Sequence, residues 1–439
     1  MSQDSSPQDL LPSLNKLVHL ARKHGASGIE LLHTAILERQ IKATGTTIQS
    51  QSESESRILS GRVFVANGAS ASFSINADLT GRHPASVEKA VIRAHKAKAN
   101  PYAGPIEHMD ISERGMGLKD PRYTQIDSEA FEDLLSINQV GEGNKPHSMA
   151  YTDRKLQRFF VSSRDFYANS TSTFYKLSLE NTIPGTKTPL QALACGRAFS
   201  HVGSIPFGRE IESRMAALSN LCDAPSGPIN LVLPTRVMAW IIEALAPAFD
   251  SRYINSDSVF LKRLPDGVLG TRAIHIVDDP AAVGGVRTRA FDDQGVPPMA
   301  VPIIREGKVG NAYFSVEAAR KANVRPTGHF WMNQIRPSNL VLRPGNRSRT
   351  QMLSEVPTSL EIDHLTGSLD LKTGMLNASG PALVLEKGKP QGAVRSVTLN
   401  MPIQELLGAV KEIASNQLRH GAVDSATVVT HALDVEITP

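Results

Sequence analysis

The stretch "VDDPAAVGGVRTRAFDDQGVPP", residues 277–298, decides how we interpret this chain of 439 residues. It contains two pairs of aspartates, Asp278 with Asp279 and Asp292 with Asp293. Paired carboxylates can bind a metal ion or share a proton between an acid and a base. Aspartate directly before proline, or two residues before glycine, is also typical of Asx turns. We favour the turn interpretation for both pairs.

The sequence around this stretch predicts a domain that consists mostly of β-strands. Short apolar runs alternate with turn signals in "IHIVDDP", "AVPIIREGKV", "SNLVLRPGN", "SLDLKTGML", "PALVLEKGK" and "ATVVTHALDVEI". Two helices are predicted among them, one in "PIQELLGAVKEIAS" and one that begins near Thr235, a suitable N-cap. The cluster "PSGP" around Ser226 is typical of a linker. We therefore predict a disordered tail over 1–10, one domain over 11–225 and a second over 226–439.

The first of these domains mixes helices and strands. Apolar residues at helical spacing predict a helix that ends near Gly25, and a strand follows from Ile29. Alternating apolar residues on both sides of Asn67-Gly68 predict a β-hairpin, and a helix follows Pro84. Further strands are predicted over 154–183, with a turn near residues 169–170. The predicted fold class is α+β, with an N-terminal α/β domain followed by a β-rich domain.

Composition excludes several classes of protein. The 47 basic residues are scattered among 43 acidic ones without a long basic block, so binding to nucleic acid is not indicated. The chain begins with "MSQDSSPQDL", which lacks the features of a secretory signal, and no apolar run is long enough to span a membrane. Only two cysteines occur, which is too few for a disulfide framework. We expect a cytoplasmic protein without a membrane partner.

Motifs that carry chemistry are scarce. There is no HExxH pair, P-loop, GxSxG elbow or GxGxxG turn. "TGHFWMNQIRPSN", residues 327–339, places His329, Phe330 and Trp331 between turn signals. A rigid aromatic cluster of this kind lines a groove or caps the core. The residues alone leave both interpretations open.

The order of motifs in the second domain resembles the TldD/PmbA family. The matching run extends from "VDDPAAVGG" through "RAFDDQGVPP" and "PTGHF" to "RPSNLVLRPGN", "DLKTGML" and "GKPQGAVRSVTLNMPIQELLGAVKEI". The first domain is similar through "SGRVFVANGASASFS" and the helix after it. This resemblance implies an α/β first domain and a β-rich, barrel-like second domain. It also implies a dimer, often of a TldD-like and a TldE-like subunit, that encloses a chamber where unfolded peptides are cut.

The resemblance also implies where a zinc site would lie. TldD-like subunits carry an H-E-x-x-x-H motif on the helix after the first strand of the second domain, and a late cysteine. In "WIIEALAPAFDS" the motif positions are occupied by Ile242, Glu243 and Pro247, and no cysteine follows Cys222. Neither isoleucine nor proline can bind zinc. The sequence therefore predicts a TldE/PmbA-like subunit without metal or catalytic residues of its own.

The function expected from this resemblance is a non-catalytic one. The chain would shape the chamber of a heterodimeric metalloprotease for unfolded or precursor peptides and support a TldD-like partner that carries the zinc. Peptide contacts are expected from the two turns of the second domain, at Phe291, Asp292, Asp293, Gly295, Thr327, Gly328, His329 and Trp331.

Two alternatives stay open at this point. The chain could act alone or as a homodimer that binds or regulates peptides, in natural-product maturation or in a role like that of a DNA gyrase modulator. It could also be an enzyme of different chemistry, with Asp278, Asp279, Asp292 or Asp293 as acid and base. The turn interpretation of these aspartates weakens the second alternative.

Overall fold

The computed structural model describes residues 7–76, 83–123, 128–138, 147–183, 189–254 and 259–439. Two β-sheets dominate this part of the chain. The first is built from residues up to Gly196, and the second begins at Ile229, after the turn at residues 225–228. No helix of the described residues is long and apolar enough to cross a bilayer. The predicted α+β class is confirmed.

The first sheet has six strands in the order β3-β2-β1-β4-β5-β6, and all neighbours are antiparallel. The elements of this domain are α1 (Pro7–Lys23), β1 (Gly28–Thr44), β2 (Thr47–Phe64), β3 (Ser70–Asn76), α2 (His83–Lys96), α3 (Ser128–Ile137), β4 (Ser148–Ser162), β5 (Phe166–Thr182), β6 (Pro189–Gly196) and α4 (Phe207–Ser219). Because α1 begins at Pro7, residues 7–10 of the expected tail are helical, and residues 1–6 lie outside the described residues.

Helices cover one face of this sheet. The predicted spacing in α1 is confirmed, because Leu14, Leu17, Val18 and Ala21 are buried against β1 and α2. Apolar side chains of α3 and α4 pack on the same face at its other end. The predicted hairpin at Asn67-Gly68 joins β2 to β3, and Gly68 has a φ of 79°. Only glycine adopts this conformation without strain.

The second sheet has twelve strands. Its path is β10-β9-β8-β13-β19-β7-β14-β16-β17-β20, with β15 paired to β16 and β18 paired to β19. No pairing between β10 and β20 closes this path among the described strands, so the barrel-like region is an open sheet. The elements are β7 (Ile229–Leu233), α5 (Thr235–Leu245), α6 (Ser251–Ile254), β8 (Ile276–Asp278), β9 (Val301–Arg305), β10 (Lys308–Val309), α7 (Val316–Ala322), β11 (Phe330–Trp331), β12 (Gln334–Ile335), β13 (Leu340–Leu342), α8 (Arg349–Ser354), β14 (Thr358–Ile362), β15 (Thr366–Leu369), β16 (Met375–Glu386), β17 (Lys389–Pro402), α9 (Ile403–Gly408), β18 (Val410–His420), β19 (Val423–Leu433) and β20 (Glu436–Thr438).

Two local predictions were wrong. The turn expected near residues 169–170 lies at residues 163–165, where Asp165 takes a φ of 55°, and β5 runs through the expected position. The helix predicted over "PIQELLGAVKEIAS" ends at Gly408. Residues after it form β18, because Val410 and Ile413 pair with β19. Pairing with a distant strand thus overrides the local helical pattern.

The two domains meet on the face of the first sheet that the helices leave uncovered. Leu32, Phe160 and Ala168 of that face pack against Ala290 and Phe291 of the second domain. Farther along the sheet, β6 approaches β18. Between these contacts, Cys195 on β6 and Lys176 on β5 lie within electrostatic range of each other, and Cys195 also interacts with Glu243 on α5, Arg287 on the 279–289 loop and Arg419 on β18. We call the space among these residues the interdomain cleft.

Candidate functional site

Helix α5 has one buried face and one outward stripe. It follows β7 after Pro234, which occupies the N-cap position without a side-chain hydrogen bond. Thr235, expected as the N-cap, is the first helical residue instead, and its hydroxyl lies 2.8 Å from Nε2 of His420. Ile242 is buried in the main apolar core of the second domain. The outward stripe consists of the half-buried residues Arg236, Trp240, Glu243, Ala244 and, in the 3-10 turn after the helix, Pro247.

The stripe does not fit a zinc ion. Glu243 and Pro247 lie on it, but Ile242 faces the core, so these three positions do not share one surface. Proline and isoleucine offer no donor atom for zinc. The carboxylate of Glu243 accepts a hydrogen bond from the guanidinium of Arg287 and is thereby paired with a cation. Across the described ranges, no three His, Cys, Asp or Glu side chains cluster as a metal site.

Cys195 lies on the opposite wall of the interdomain cleft. Its half-buried thiol is close enough to Lys176, Arg287 and Arg419 to interact with their charges, and also with that of Glu243. Burial raises the pKa of this thiol in spite of the three cations. A thiol with a raised pKa is protonated near neutral pH and is a poor nucleophile. The cleft thus brings several cations together without an activated nucleophile at Cys195.

The two aspartate pairs behave largely as the turn interpretation predicts. Asp279 accepts a hydrogen bond from the backbone N–H of Ala281. Asp292 accepts from the N–H groups of Gln294 and Val296, and its second oxygen accepts from Phe330. Burial raises the pKa of Asp292 to about 6, although these three backbone donors lower it. Asp292 therefore fastens the 291–296 turn to β11.

Asp278 does not form a turn, and sequence reasoning missed its role. This buried carboxylate accepts hydrogen bonds from the backbone and hydroxyl of Ser338. Nε2 of His329 lies 3.4 Å away, and the ring of Tyr313 stacks on that histidine at 4.6 Å. Burial opposes ionisation of Asp278, yet His329 and Ser338 hold its pKa below the usual range. The three side chains are fully buried, so they stabilise the core and do not face substrate.

The structure places most of the expected peptide contacts in the interior. Phe291, Asp292, Gly295, Thr327, Gly328 and His329 are all buried. The carboxylate of Asp293 is 19% exposed but already accepts hydrogen bonds from Arg158 and from the backbone of Met332. Trp331 is half-buried. Six of these eight residues are thus buried in the chain alone, and peptide contact at them stays a prediction.

Two arginines hold Trp331 in place, and the sequence carried no signal for them. The guanidinium of Arg158, on β4, lies 4.5 Å from the centroid of Trp331 and 4.9 Å from that of Phe291. The guanidinium of Arg289 lies 5.1 Å from the same tryptophan. Such distances allow cation–π attraction. The "TGHFW" segment therefore caps an interdomain contact, which answers the question that the residues alone left open.

Part of the uncovered sheet face borders the interdomain cleft and carries apolar side chains. Ile36 on β1 lies directly opposite Leu156 on β4, and both are half-buried. On the next strand, the half-buried ring of Phe174 lies 5.9 Å from the guanidinium of Arg154, which pairs with Glu38. We call these residues the open sheet face. It offers apolar and charged groups side by side.

Comparisons with known proteins agree with this architecture. A family model described as the PmbA/TldA metallopeptidase C-terminal domain matches residues 226–436. A metalloprotease of Methanocaldococcus jannaschii is 24% identical over 216 residues, which are 47% of this chain and 48% of that protein. A metalloprotease of Synechocystis is 24% identical over 174 residues, 38% of this chain and 37% of that protein. The matched stretch thus spans about half of these relatives or less.

Solved structures cover nearly the whole chain. TldE from Thermococcus kodakarensis has a TM-score of 0.83 at 14% identity and covers 96% of this chain and 99% of its own. A candidate modulator of a DNA gyrase from Thermotoga maritima has a TM-score of 0.85 at 17% identity, covering 97% and 100%. At such identities the likeness shows the fold alone. Together with the family model, it confirms the predicted resemblance: residues 226–436 match the PmbA/TldA metallopeptidase C-terminal domain, and the chain has the fold seen in TldE and in the gyrase-modulator structure.

Proposed function

We propose that this chain is a non-catalytic, TldE-like subunit of a TldD/TldE-type metalloprotease. In this proposal it acts in the cytoplasm as one half of a heterodimer. It completes the chamber, and its partner carries the zinc ion that activates water for hydrolysis of unfolded or precursor peptides. This chain requires no cofactor of its own. Its task is to bind and orient the peptide and to stabilise the partner.

The outward stripe of α5 carries this proposal. It lies on the helix where the family resemblance implies a zinc site, and the two histidine positions of the motif are occupied by Ile242, which is buried in the core, and by Pro247. A glutamate can act as general base beside a zinc-bound water. Glu243 is instead paired with Arg287, which directs its carboxylate towards a cation of the same chain. These contacts support a structural role for the helix.

The open sheet face supports the peptide-binding part of the proposal. Unfolded peptides differ in sequence but share main-chain polar groups and scattered apolar side chains. Ile36, Leu156 and Phe174 offer apolar contact, and Arg154 with Glu38 offers both charges beside them. Such a surface binds many peptides weakly, as a chamber wall requires. This location adds to the two buried turns as an expected site of contact.

The first experiment compares the purified chain with a complex obtained by co-expression with a TldD-like protein from the same source. Zinc is measured by metal analysis, and cleavage of an unfolded peptide is followed with and without a chelator. We expect zinc and chelator-sensitive cleavage in the complex and neither in the chain alone. Stoichiometric zinc or chelator-sensitive cleavage in the chain alone would overturn the proposal.

Two variants separate the roles of the residues within that complex. Glu243→Gln is expected to keep the rate of peptide cleavage within about twofold of the wild-type rate, since an exposed ion pair contributes roughly 1 kcal/mol or less to stability. Phe174→Ser should raise the KM for peptide several-fold while zinc content stays unchanged. Tyr167→Ser is the matched control, because Tyr167 is an exposed aromatic residue on the opposite face of the same strand. Peptide binding by the chain alone, with no complex formed, would favour the stand-alone binding protein instead.

A further inference from the structure

A second concave surface lies outside the interdomain cleft, on β8, β9 and β13 of the second domain. Its floor is formed by the half-buried residues His275, Val277, Pro302 and Val341. Four exposed cations stand around this floor: Arg272, Arg305, Lys308 and Arg343. We call this surface the basic groove. Its cavity volume of about 880 Å³ is within the range of small-molecule sites.

The β9–β10 hairpin places two of these cations side by side. Arg305 and Lys308 are direct partners in the antiparallel register, so their side chains project from the same face. Like charges directly opposite each other destabilise a strand pair. The fold nevertheless keeps this pair next to Arg343 and Arg272, which come from two other segments of the chain. An anion bound between them would relieve the repulsion.

The backbone around the basic groove is fixed in place. Glu306 and Gly307 form the tight turn of the hairpin, with φ values of 48° and 71°. The carbonyl of Gly307 accepts hydrogen bonds from the N–H groups of Leu269 and Gly270, and its N–H donates to Ile274. A Cβ at Gly307 would lie 2.2 Å from the carbonyl oxygen of Gly270. The turn is thus docked on the segment that carries Arg272.

The four cations have no carboxylate partner within ion-pair distance among the described residues. Other arginines of the same domain do, as Arg347 with Glu355 and Arg419 with Asp424 illustrate. The one acidic residue that lines the groove is Glu306. A concave surface with four cations and one carboxylate attracts anions and concentrates them locally.

We propose that the basic groove binds a nucleoside di- or triphosphate. Guanidinium groups bind phosphate oxygens in pairs, and three arginines with one lysine match the charge of a phosphate chain. Val277, Pro302 and Val341, together with the ring of His275, provide an apolar floor for a flat base. An acidic peptide would satisfy the cations as well, but it has no flat ring to cover this floor. The size and the mixed lining therefore favour the nucleotide.

Titration calorimetry of the full chain with ATP, ADP, adenosine and tripolyphosphate tests this proposal. We expect ATP and ADP to bind with micromolar affinity, and adenosine and tripolyphosphate to bind at least tenfold more weakly than ATP. Arg305→Gln and Arg343→Gln should each weaken ATP binding about tenfold, in keeping with the loss of charge-assisted hydrogen bonds. Arg325→Gln is the control, because Arg325 is an exposed arginine that does not line the groove.

Thermal unfolding without nucleotide shows whether the variants are folded. Because Arg305→Gln removes a like-charge contact, it should melt no lower than the wild type. Absence of ATP binding, or ATP binding that Arg305→Gln and Arg343→Gln leave unchanged, would overturn the proposal. Tripolyphosphate binding as tightly as ATP would overturn the role of the apolar floor. A hexaglutamate peptide that binds as tightly as ATP would show instead that the groove takes acidic polypeptide.

Discussion

Replacement of Arg158 by alanine measures how much one buried arginine contributes to the stability of the fold. Arg158 is 4% exposed, donates to the carbonyl of Phe291 at 2.7 Å and pairs with the carboxylate of Asp293. Breaking a buried ion pair by removing one partner costs about 3–5 kcal/mol. Loss of the stacking on Trp331 acts in the same direction. We therefore expect Arg158→Ala to lower the free energy of unfolding by about 3–5 kcal/mol.

Arg154→Ala is the matched control. Arg154 lies four residues earlier on the same strand and face, is 42% exposed, and pairs with Glu38. Exposed ion pairs contribute roughly 0–1 kcal/mol, so this variant should unfold nearly as the wild type does.

Urea unfolding at pH 7, followed by tryptophan fluorescence, measures both variants. The chain contains two tryptophans, and one of them, Trp331, contacts Arg158 directly. Its emission should therefore change in Arg158→Ala before any urea is added, and it should stay the same in Arg154→Ala. A loss below about 1 kcal/mol in Arg158→Ala, or equal losses in the two variants, would refute the interpretation of Arg158 as the link between the domains.

Three further predictions concern the second domain. The carboxyl of Asp292 should titrate near pH 6 by NMR, and a midpoint below 4 would contradict this. Because its pKa is raised in the folded state, its contribution to stability is complete below about pH 4 and is lost as the pH rises through 6. Asp363→Asn should destabilise the chain by about 3–5 kcal/mol at pH 7, since two arginines donate to this buried carboxylate. Burial raises the pKa of Asp363, but hydrogen bonds with His364 and Arg214 lower it below its usual value. The loss of unfolding free energy in Asp363→Asn should therefore shrink as the pH falls below about 4, and a loss that stays constant would argue against this role of Asp363. Gly295→Ala should cost at least about 2 kcal/mol more unfolding free energy than Gly284→Ala in urea unfolding. Both glycines have a positive φ, but a Cβ at Gly295 would lie 2.5 Å from the ring of Phe160, whereas no atom lies within 4 Å of a Cβ at Gly284. Equal costs would refute the packing argument.

The surfaces proposed here for binding are not marked by motifs in the sequence. The "FDDQG" and "TGHFW" segments drew attention because they are unusual in composition, but both are used to join the domains. The groups available to ligands are spread over strands that are distant in sequence. Ile36, Leu156 and Phe174 come from three strands, and the cations of the basic groove come from three separate segments.

Local sequence patterns determined a large part of this protein. Helical spacing placed α1, the Asn67-Gly68 pair placed a hairpin, and Asx turns accounted for Asp279 and Asp292. Each of these depends on residues close together in the chain, where steric preferences and short hydrogen bonds act without help from the rest of the fold. The motif order of the second domain was also sufficient to predict its family resemblance.

Only the tertiary structure decided which side chains are buried and which charges are paired. Ile242 and Glu243 are neighbours in sequence, yet one lies in the core and the other pairs with Arg287, a residue 44 positions away in the chain. Strand β18 replaced the second half of a predicted helix because β19 was available for pairing. Arg158 and His329 are isolated residues in the sequence and acquire their partners only when distant segments meet. Burial and long-range pairing depend on the whole fold, and a local pattern does not contain that information.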